Sequence, residues 1–245
     1  MKQAHHKAVR VVVCGALGRM GSKIVRRINE DSRFFLAGAV DATPSDSIFR
    51  CRHPDSFPGL LKKADVAIVF TTPASSVEFA KTAAAAGKSI VIGTTGFSES
   101  QLRSLRKFSK KTPVLVSPNM SPAVNLLFVM AKIIATKLPY FDVHIAEAHH
   151  TAKKDAPSGT ALRLAGAVAS AGPGKKSPSV SSIRAGDIVG DHTVLYAGPF
   201  ERLELTHRAH SRELFAYGAL EAAYWLKGKK PGLYDYQDVM GLTAL

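Results

Sequence analysis

Apolar residues fall in short blocks along the first half of the chain. Val9–Cys14 is a β-branched run closed by a glycine and predicts a buried strand. Arg19–Asn29 then has helical spacing, with Met20, Ile24, Val25 and Ile28 on one side. Strands are expected again at Phe34–Val40, Ala64–Phe70, Ser89–Ile92 and Pro113–Val116, and helices at Ser75–Ala86 and Glu99–Lys110. These strands are continuously apolar rather than alternating, as a sheet covered on both faces requires. Strands alternating with helices at this interval point to βαβ units and a doubly wound, Rossmann-like parallel sheet of α/β class.

The pattern changes near Pro118. Ala123–Leu138 reads as an apolar helix, Phe141–Ala148 as a strand, and Ser158–Ala169 as a helix. Ala171–Ser182, rich in Gly, Ser, Pro and Lys, reads as a mobile loop. Thr193–Ala197 and Arg202–His207 read as paired strands around Gly198-Pro199, and Glu213–Leu226 as a last helix. Consecutive strands without helices between them predict a second α+β domain with an open, mixed and more antiparallel sheet. No internal repeat is visible.

Composition narrows the partners. With 46% apolar and 21% charged residues among 245, the chain is an ordinary globular sequence with ample length for a core. The longest apolar run, Asn125–Ile134, is short and broken by Lys132, so no membrane span is expected. The polar start MKQAHHKAVR lacks a secretory pattern, and two cysteines, Cys14 and Cys51, make no disulfide scaffold; the expectation is a cytoplasmic protein. The net charge of +14 raises nucleic acid as a partner. Its lysine pairs are scattered and not interleaved with aromatics, so a small anionic substrate is the better reading, without nucleic acid.

Chemistry is first visible in VVVCGALGRMGSKIV. Gly15, Gly18 and Gly21 stand between the first strand and first helix, with Ala16, Arg19 and Met20 in the same turn. Glycines there permit a tight turn and close approach of a pyrophosphate to the helix N-terminus. The spacing G-x-x-G-x-x-G is less specific than G-x-G-x-x-G. The strand before it, the helix after it and Asp41 at the end of the second strand strengthen the match, since an acid there takes the ribose hydroxyls. A strand–helix turn without a ligand is the competing reading. Asp41 repels a 2′-phosphate and the next residue is Ala42, which favours NADH; Arg19 leaves NADPH open. Thr71 and Gly93, Thr94 and Thr95, at later strand tips, should line the same crevice.

The second concentration of chemistry is EAHHTAKKDAPSGTA, Glu147–Ala161. Hydride delivered to an unsaturated anion must be followed by a proton, which a histidine can supply near neutral pH. A lysine can neutralise developing charge. Ser158-Gly159-Thr160 opens a helix and offers hydroxyls and N–H groups to a carboxylate. The adjacent His149 and His150 point to opposite faces of a strand and lack a third ligand at zinc spacing, so no metal is expected. Either histidine could instead be structural, Lys154 a solvated charge, and Asp155 a loop-fixing residue.

With these residues together, the chain resembles the 4-hydroxy-tetrahydrodipicolinate reductase (dihydrodipicolinate reductase) family of the bacterial lysine and diaminopimelate pathway. The signature E-x-H-x-x-x-K-x-D-x-P-S-G-T-A is met by Glu147, His149, Lys153, Asp155, Pro157, Ser158, Gly159, Thr160 and Ala161. GRMG at Gly18–Gly21, IGTTG at Ile92–Gly96, RAGDIVGDH at Arg184–His192 and the closing GLYDYQDVMGL extend the likeness over nearly the whole chain. The resemblance implies that His149 donates the proton and Lys153 is the catalytic lysine. It implies that His150, Ser158, Gly159 and Thr160 bind a small dicarboxylate. Thr71, Gly93, Thr94, Thr95, Pro118, Asn119 and Met120 would contact NADH or NADPH, and Arg212 matches an arginine near the domain junction. It further implies a cofactor domain of residues 1–121 and 212–245, a substrate-binding and oligomerisation domain of 122–211, and a homotetramer. Ala42 stands where many members have a basic residue, and the segments before Asp65 and around Pro173–Ser182 are short. Two other functions fit parts of the pattern: a reductase for another small carboxylate, and a non-catalytic dinucleotide-binding or DNA-associated protein.

Overall fold

The computed structural model describes residues 8–46, 49–172 and 177–242. They form two compact units. One holds the described residues up to Met120 together with Phe215–Met240; the other holds Ser121–Leu214. Among the described residues no helix is long and apolar enough to cross a membrane.

In the first unit the elements run β1 (Val9–Cys14), α1 (Gly21–Glu30), β2 (Phe34–Val40), β3 (Cys51–Arg52), α2 (Phe57–Lys62), β4 (Val66–Val69), α3 (Pro73–Ala85), β5 (Ser89–Ile92), α4 (Glu99–Ser109) and β6 (Pro113–Val116). The chain continues through the second unit with α5 (Pro122–Lys137), β7 (Asp142–His149), α6 (Gly159–Ala169), β8 (Ser179–Arg184), β9 (Asp191–Ala197) and β10 (Arg202–Arg208). Helix α7 (Glu213–Leu226) then leads back to β11 (Gly232–Tyr234) and α8 (Tyr236–Val239).

The first sheet has seven parallel strands in the order β11-β6-β5-β4-β1-β2-β3. The order reverses at β1, between β2 and β4, which is the place where open α/β sheets bind ligands. Both faces are covered, and the two-residue period of a strand divides β1 between them. Val11 and Val13 join a core with Ile24, Val25 and Ile28 of α1 and Ala219 and Leu220 of α7. Val12 and Cys14 join the opposite core with Phe79 and Ala83 of α3 and Leu105 of α4. Helix α7 lies close because Gly218 has no side chain: a Cβ there would meet the Met120 carbonyl oxygen at 1.8 Å.

The second sheet is four-stranded, β10-β9-β7-β8. β7 pairs in parallel with β8 across α6, while β9 is antiparallel to both β7 and β10. Helices α5 and α6 pack on one face, with Phe128, Leu164 and Val168 against Ile145, Val194 and Tyr196. The other face carries Ser179, Ser181 and Ile183 beside His144 and Ala146, in the strand register. There His144 Nδ1 meets Ser179 Oγ at 2.7 Å and its Nε2 meets Ser181 Oγ at 3.0 Å.

One expectation is corrected. Of the segment read as a mobile loop, 179–182 begin strand β8, and 173–176 lie outside the described residues. The strand is at a sheet edge and two of its three outward positions, Ser179 and Ser181, are serines, so it has little apolar signal to read.

Candidate active site

The glycine turn after β1 is built as its residues require. Gly15 has φ +78° and a Cβ on it would lie 2.2 Å from the Phe70 carbonyl oxygen; one on Gly21 would lie 1.9 Å from the Gly15 carbonyl oxygen. These two glycines therefore serve the turn's own packing. Gly18 is exposed, so its backbone is open to a ligand. Ala16 is buried, Arg19 is exposed and Met20 is half-buried, and no side chain caps α1. Asp41, at the end of β2, accepts the Leu17 N–H at 2.9 Å and thereby ties the turn to the second strand.

Beside this turn is a groove of about 1010 Å³, bordered by Gly15, Gly18, Asp41, Thr71, Asp55 and Glu78 among others. Its size suits a dinucleotide portion. Asp41 stands where a ribose would be bound, and the exposed Gly18 backbone where a pyrophosphate would approach, so the residues fit a nicotinamide dinucleotide. No lysine or arginine is among the groove's described lining residues.

At the later strand tips, Thr71 Oγ1 meets Ser76 Oγ at 2.9 Å, and Ser76 Oγ meets Thr94 Oγ1 at 2.7 Å. Thr94 Oγ1 also donates to the Thr71 carbonyl at 3.1 Å. The hydroxyls of Thr71 and Thr94 thus join two strand tips, while Thr95 is exposed. Gly93 is dictated by packing, since a Cβ would lie 2.2 Å from the Phe70 ring. Pro118 is exposed and Asn119 half-buried, whereas Met120 is buried in the core against α7.

In the second unit the signature run folds around Glu147. Glu147 and His149 alternate along β7 with Ile145 and so share its inward face. Glu147 Oε1 accepts from Arg184 Nη2 at 2.8 Å and from the Ser158 N–H at 3.3 Å. Its Oε2 accepts from Arg184 Nη1 at 3.1 Å and from His149 Nδ1. Burial would raise this carboxyl, but hydrogen bonds from Arg184, then Ser182 and His149, outweigh it and hold it at about 2. Glu147 is therefore ionised at neutral pH. Burial pushes His149 below its ordinary value, and the charges of Lys153 and Arg184 add to that against the pull of Glu147.

Ser158 caps α6, accepting the Ala161 N–H at 3.2 Å, and its Oγ meets His192 Nε2 at 3.1 Å. The residue is buried, so its hydroxyl and N–H are engaged within the protein. Gly159, by contrast, is exposed at the first turn of α6, and a Cβ there would meet nothing within 4 Å. Thr160 follows it, half-buried. Lys153 Nζ donates to both oxygens of Asp155 at 2.8 Å, and that hydrogen bond, followed by the lysine's charge, lowers the Asp155 carboxyl. Asp155 is thus engaged with Lys153 within its own loop. His150 is half-buried just past β7, and its carbonyl accepts the Lys153 N–H at 3.1 Å.

Reasoning from the sequence missed the parts played by Arg184, His192 and His207. His192 lies opposite Glu147 in the β7–β9 register, and His207 lies opposite His192 in β9–β10. The ring of His192 stands edge-on to that of His149, with centroids 5.2 Å apart. Burial, then the nearby His149 and His207, pushes His192 down to about 3. One signal was available: Glu147 occupies the buried phase of an alternating strand, where a carboxylate needs a cation.

Among the described residues no group of three or more His, Cys, Asp or Glu could hold a metal ion.

Residues 9–120 match the family described as Dihydrodipicolinate reductase, N-terminus, and residues 123–240 match Dihydrodipicolinate reductase, C-terminus. The chain is 44% identical to the 4-hydroxy-tetrahydrodipicolinate reductase of Aquifex aeolicus, over 96% of this chain and 100% of that one. It is 41% identical to the protein of the same name from Anaeromyxobacter dehalogenans, over 96% and 98%. Among solved structures, its fold is similar to a dipicolinate-bound dihydrodipicolinate reductase from Paenisporosarcina sp. TG-14. The TM-score is 0.80 at 24% identity, covering 95% of this chain and 99% of that one.

Proposed function

The chain belongs to the dihydrodipicolinate reductase family, and from that premise we propose that it reduces 4-hydroxy-tetrahydrodipicolinate to tetrahydrodipicolinate with a reduced nicotinamide dinucleotide. The reaction belongs to lysine and diaminopimelate biosynthesis. The observation that carries the reading is the folding of the signature run into one cluster, in which His149 is buried against Glu147 within reach of the Lys153 charge.

The cofactor, when bound, supplies hydride to ring carbon four after the substrate has lost water. Gly15, Gly18 and Asp41 would hold it in the groove of the first unit, with Thr71, Thr94, Thr95, Pro118 and Asn119 at the strand tips. Gly159 and Thr160, at the open first turn of α6, bind a substrate carboxylate through their N–H groups. Ser158 shapes that turn from beneath rather than touching substrate. Lys153 steadies negative charge on the ring, and His149 delivers the proton that completes the reduction. Asp41, Asp55 and Glu78 along the groove disfavour a 2′-phosphate, which supports NADH over NADPH. The uncovered face of the second sheet is where further copies of the chain pack to form a homotetramer.

The test is nicotinamide oxidation by purified protein, with substrate made in place from pyruvate and aspartate semialdehyde by the preceding synthase. Oxidation should require both proteins and run faster with NADH than with NADPH. A protein that binds NADH but oxidises none would refute the assignment. A preference for NADPH would refute the part given to the groove carboxylates.

A further inference from the structure

Glu147 and Arg184 are more elaborately arranged than a buried ion pair needs. The Glu147 side chain is 0% exposed, and a buried carboxylate is tolerated when its oxygens are satisfied. Arg184 bonds to both oxygens, and the Ser158 N–H adds a third bond. The bond to His149 Nδ1 is additional, and it has a chemical consequence. An ionised carboxylate can only accept, so the proton in that bond belongs to Nδ1. Neutral His149 then carries its lone pair on Nε2. That nitrogen abuts Gly190, where a Cβ would approach it to 3.1 Å, so the glycine keeps space beside it. The edge-on ring of His192, itself bonded to Ser158, flanks the imidazole as well.

We propose that Glu147, clamped by Arg184, is a positioning residue that fixes both the ring orientation and the tautomer of His149, leaving Nε2 as the nitrogen that exchanges a proton with substrate. The exchange rests on the reductase reading above; the tautomer does not. In the step, Nε2 takes a proton from solvent, the imidazolium passes that same proton to the substrate carbon, and His149 returns to neutral with Nδ1–H unchanged. Glu147 stays ionised throughout. Glu147 is faced by Arg184, Ser182, His149 and His192, and the Lys153 charge acts on the two histidines.

The experiment is nitrogen NMR of protein labelled in histidine, with His149 assigned by its loss in His149→Asn. Neutral His149 should be protonated at Nδ1 and bare at Nε2. In Glu147→Gln the amide can donate to Nδ1 and select the opposite tautomer. Turnover should then fall about 10²–10⁴-fold with little change in KM, because Nε2 then keeps its proton and Nδ1, accepting the amide N–H, cannot be protonated to form the imidazolium. Glu147→Asp, which keeps the carboxylate, should restore the native tautomer and part of the turnover. Wild-type His149 protonated at Nε2 would overturn the proposal, as would turnover in folded Glu147→Gln within about threefold of wild type. If Glu147→Gln does not fold, the wild-type spectrum and Glu147→Asp decide. Loss of the reductase reading alone would show as no oxidation by a wild-type protein that retains the Nδ1–H tautomer.

Discussion

Glu147, His149 and His192 show how burial sets protonation at single residues. The Glu147 carboxyl is held at about 2 in the folded protein against an ordinary 4.5, so the unfolded chain binds the proton more readily. Its contribution is complete above about pH 4.5 and is lost as pH falls toward 2. His192 works in the same sense from a higher pH. Its value of about 3 lies below the ordinary 6.5, so between these the unfolded chain takes up a proton that the folded one refuses. His149 and His207 are shifted in the same direction, in each case chiefly by burial. Stability measured by denaturant titration should therefore decline as pH is lowered from about 6.5, and continue to decline toward 2. A flat profile between 6.5 and 4.5 would show that these histidines are not buried as neutral groups. Much of this site was legible in the sequence, because Glu147 to Ala161 is contiguous and its residue types declare their chemistry. Arg184, His192 and His207 were not, since strand pairing, not spacing, brings Arg184 and His192 to Glu147 and His207 to His192.

Among the elements, legibility followed burial. β1, β5 and β6 begin and end where their runs do, because strands covered on both faces leave few polar positions to blur the boundary; β2 does so as well, although its Phe35 is 59% exposed. Helix α1 starts two residues later than its periodicity suggests, because the glycine turn occupies Arg19 and Met20. The short edge strands β3 and β11, the edge strand β8, and helix α2 lacked such a signal. β8 carries Ser179 and Ser181 on its outer face, and β3 has two residues. The outer face of the second sheet also bears on assembly. Ile183 is 53% exposed there beside Ala146 and Ala148. A face with serines, alanines and an exposed isoleucine suits packing against a second copy. The solution mass by light scattering should be that of four chains, and the mass of one chain would contradict the assembly.

Across the molecule, the division of labour follows from two fold classes. The parallel sheet of the first unit places backbone and small residues at its strand tips, where a dinucleotide needs close approach without bulky side chains. The mixed sheet of the second unit places long polar side chains from three strands into one buried cluster, where protons and carboxylates can be handled away from bulk water. Net positive charge of +14 suits an anionic cofactor and a dicarboxylate substrate. Under the proposed function, hydride goes to ring carbon four of the dehydrated substrate. The most direct measurement uses NADH carrying deuterium in the transferred position, with the product read by NMR. Tetrahydrodipicolinate with deuterium at ring carbon four, formed only when protein and substrate are both present, is the expected result. Deuterium at another carbon, or NADH oxidised without deuterium in the product, would contradict the account.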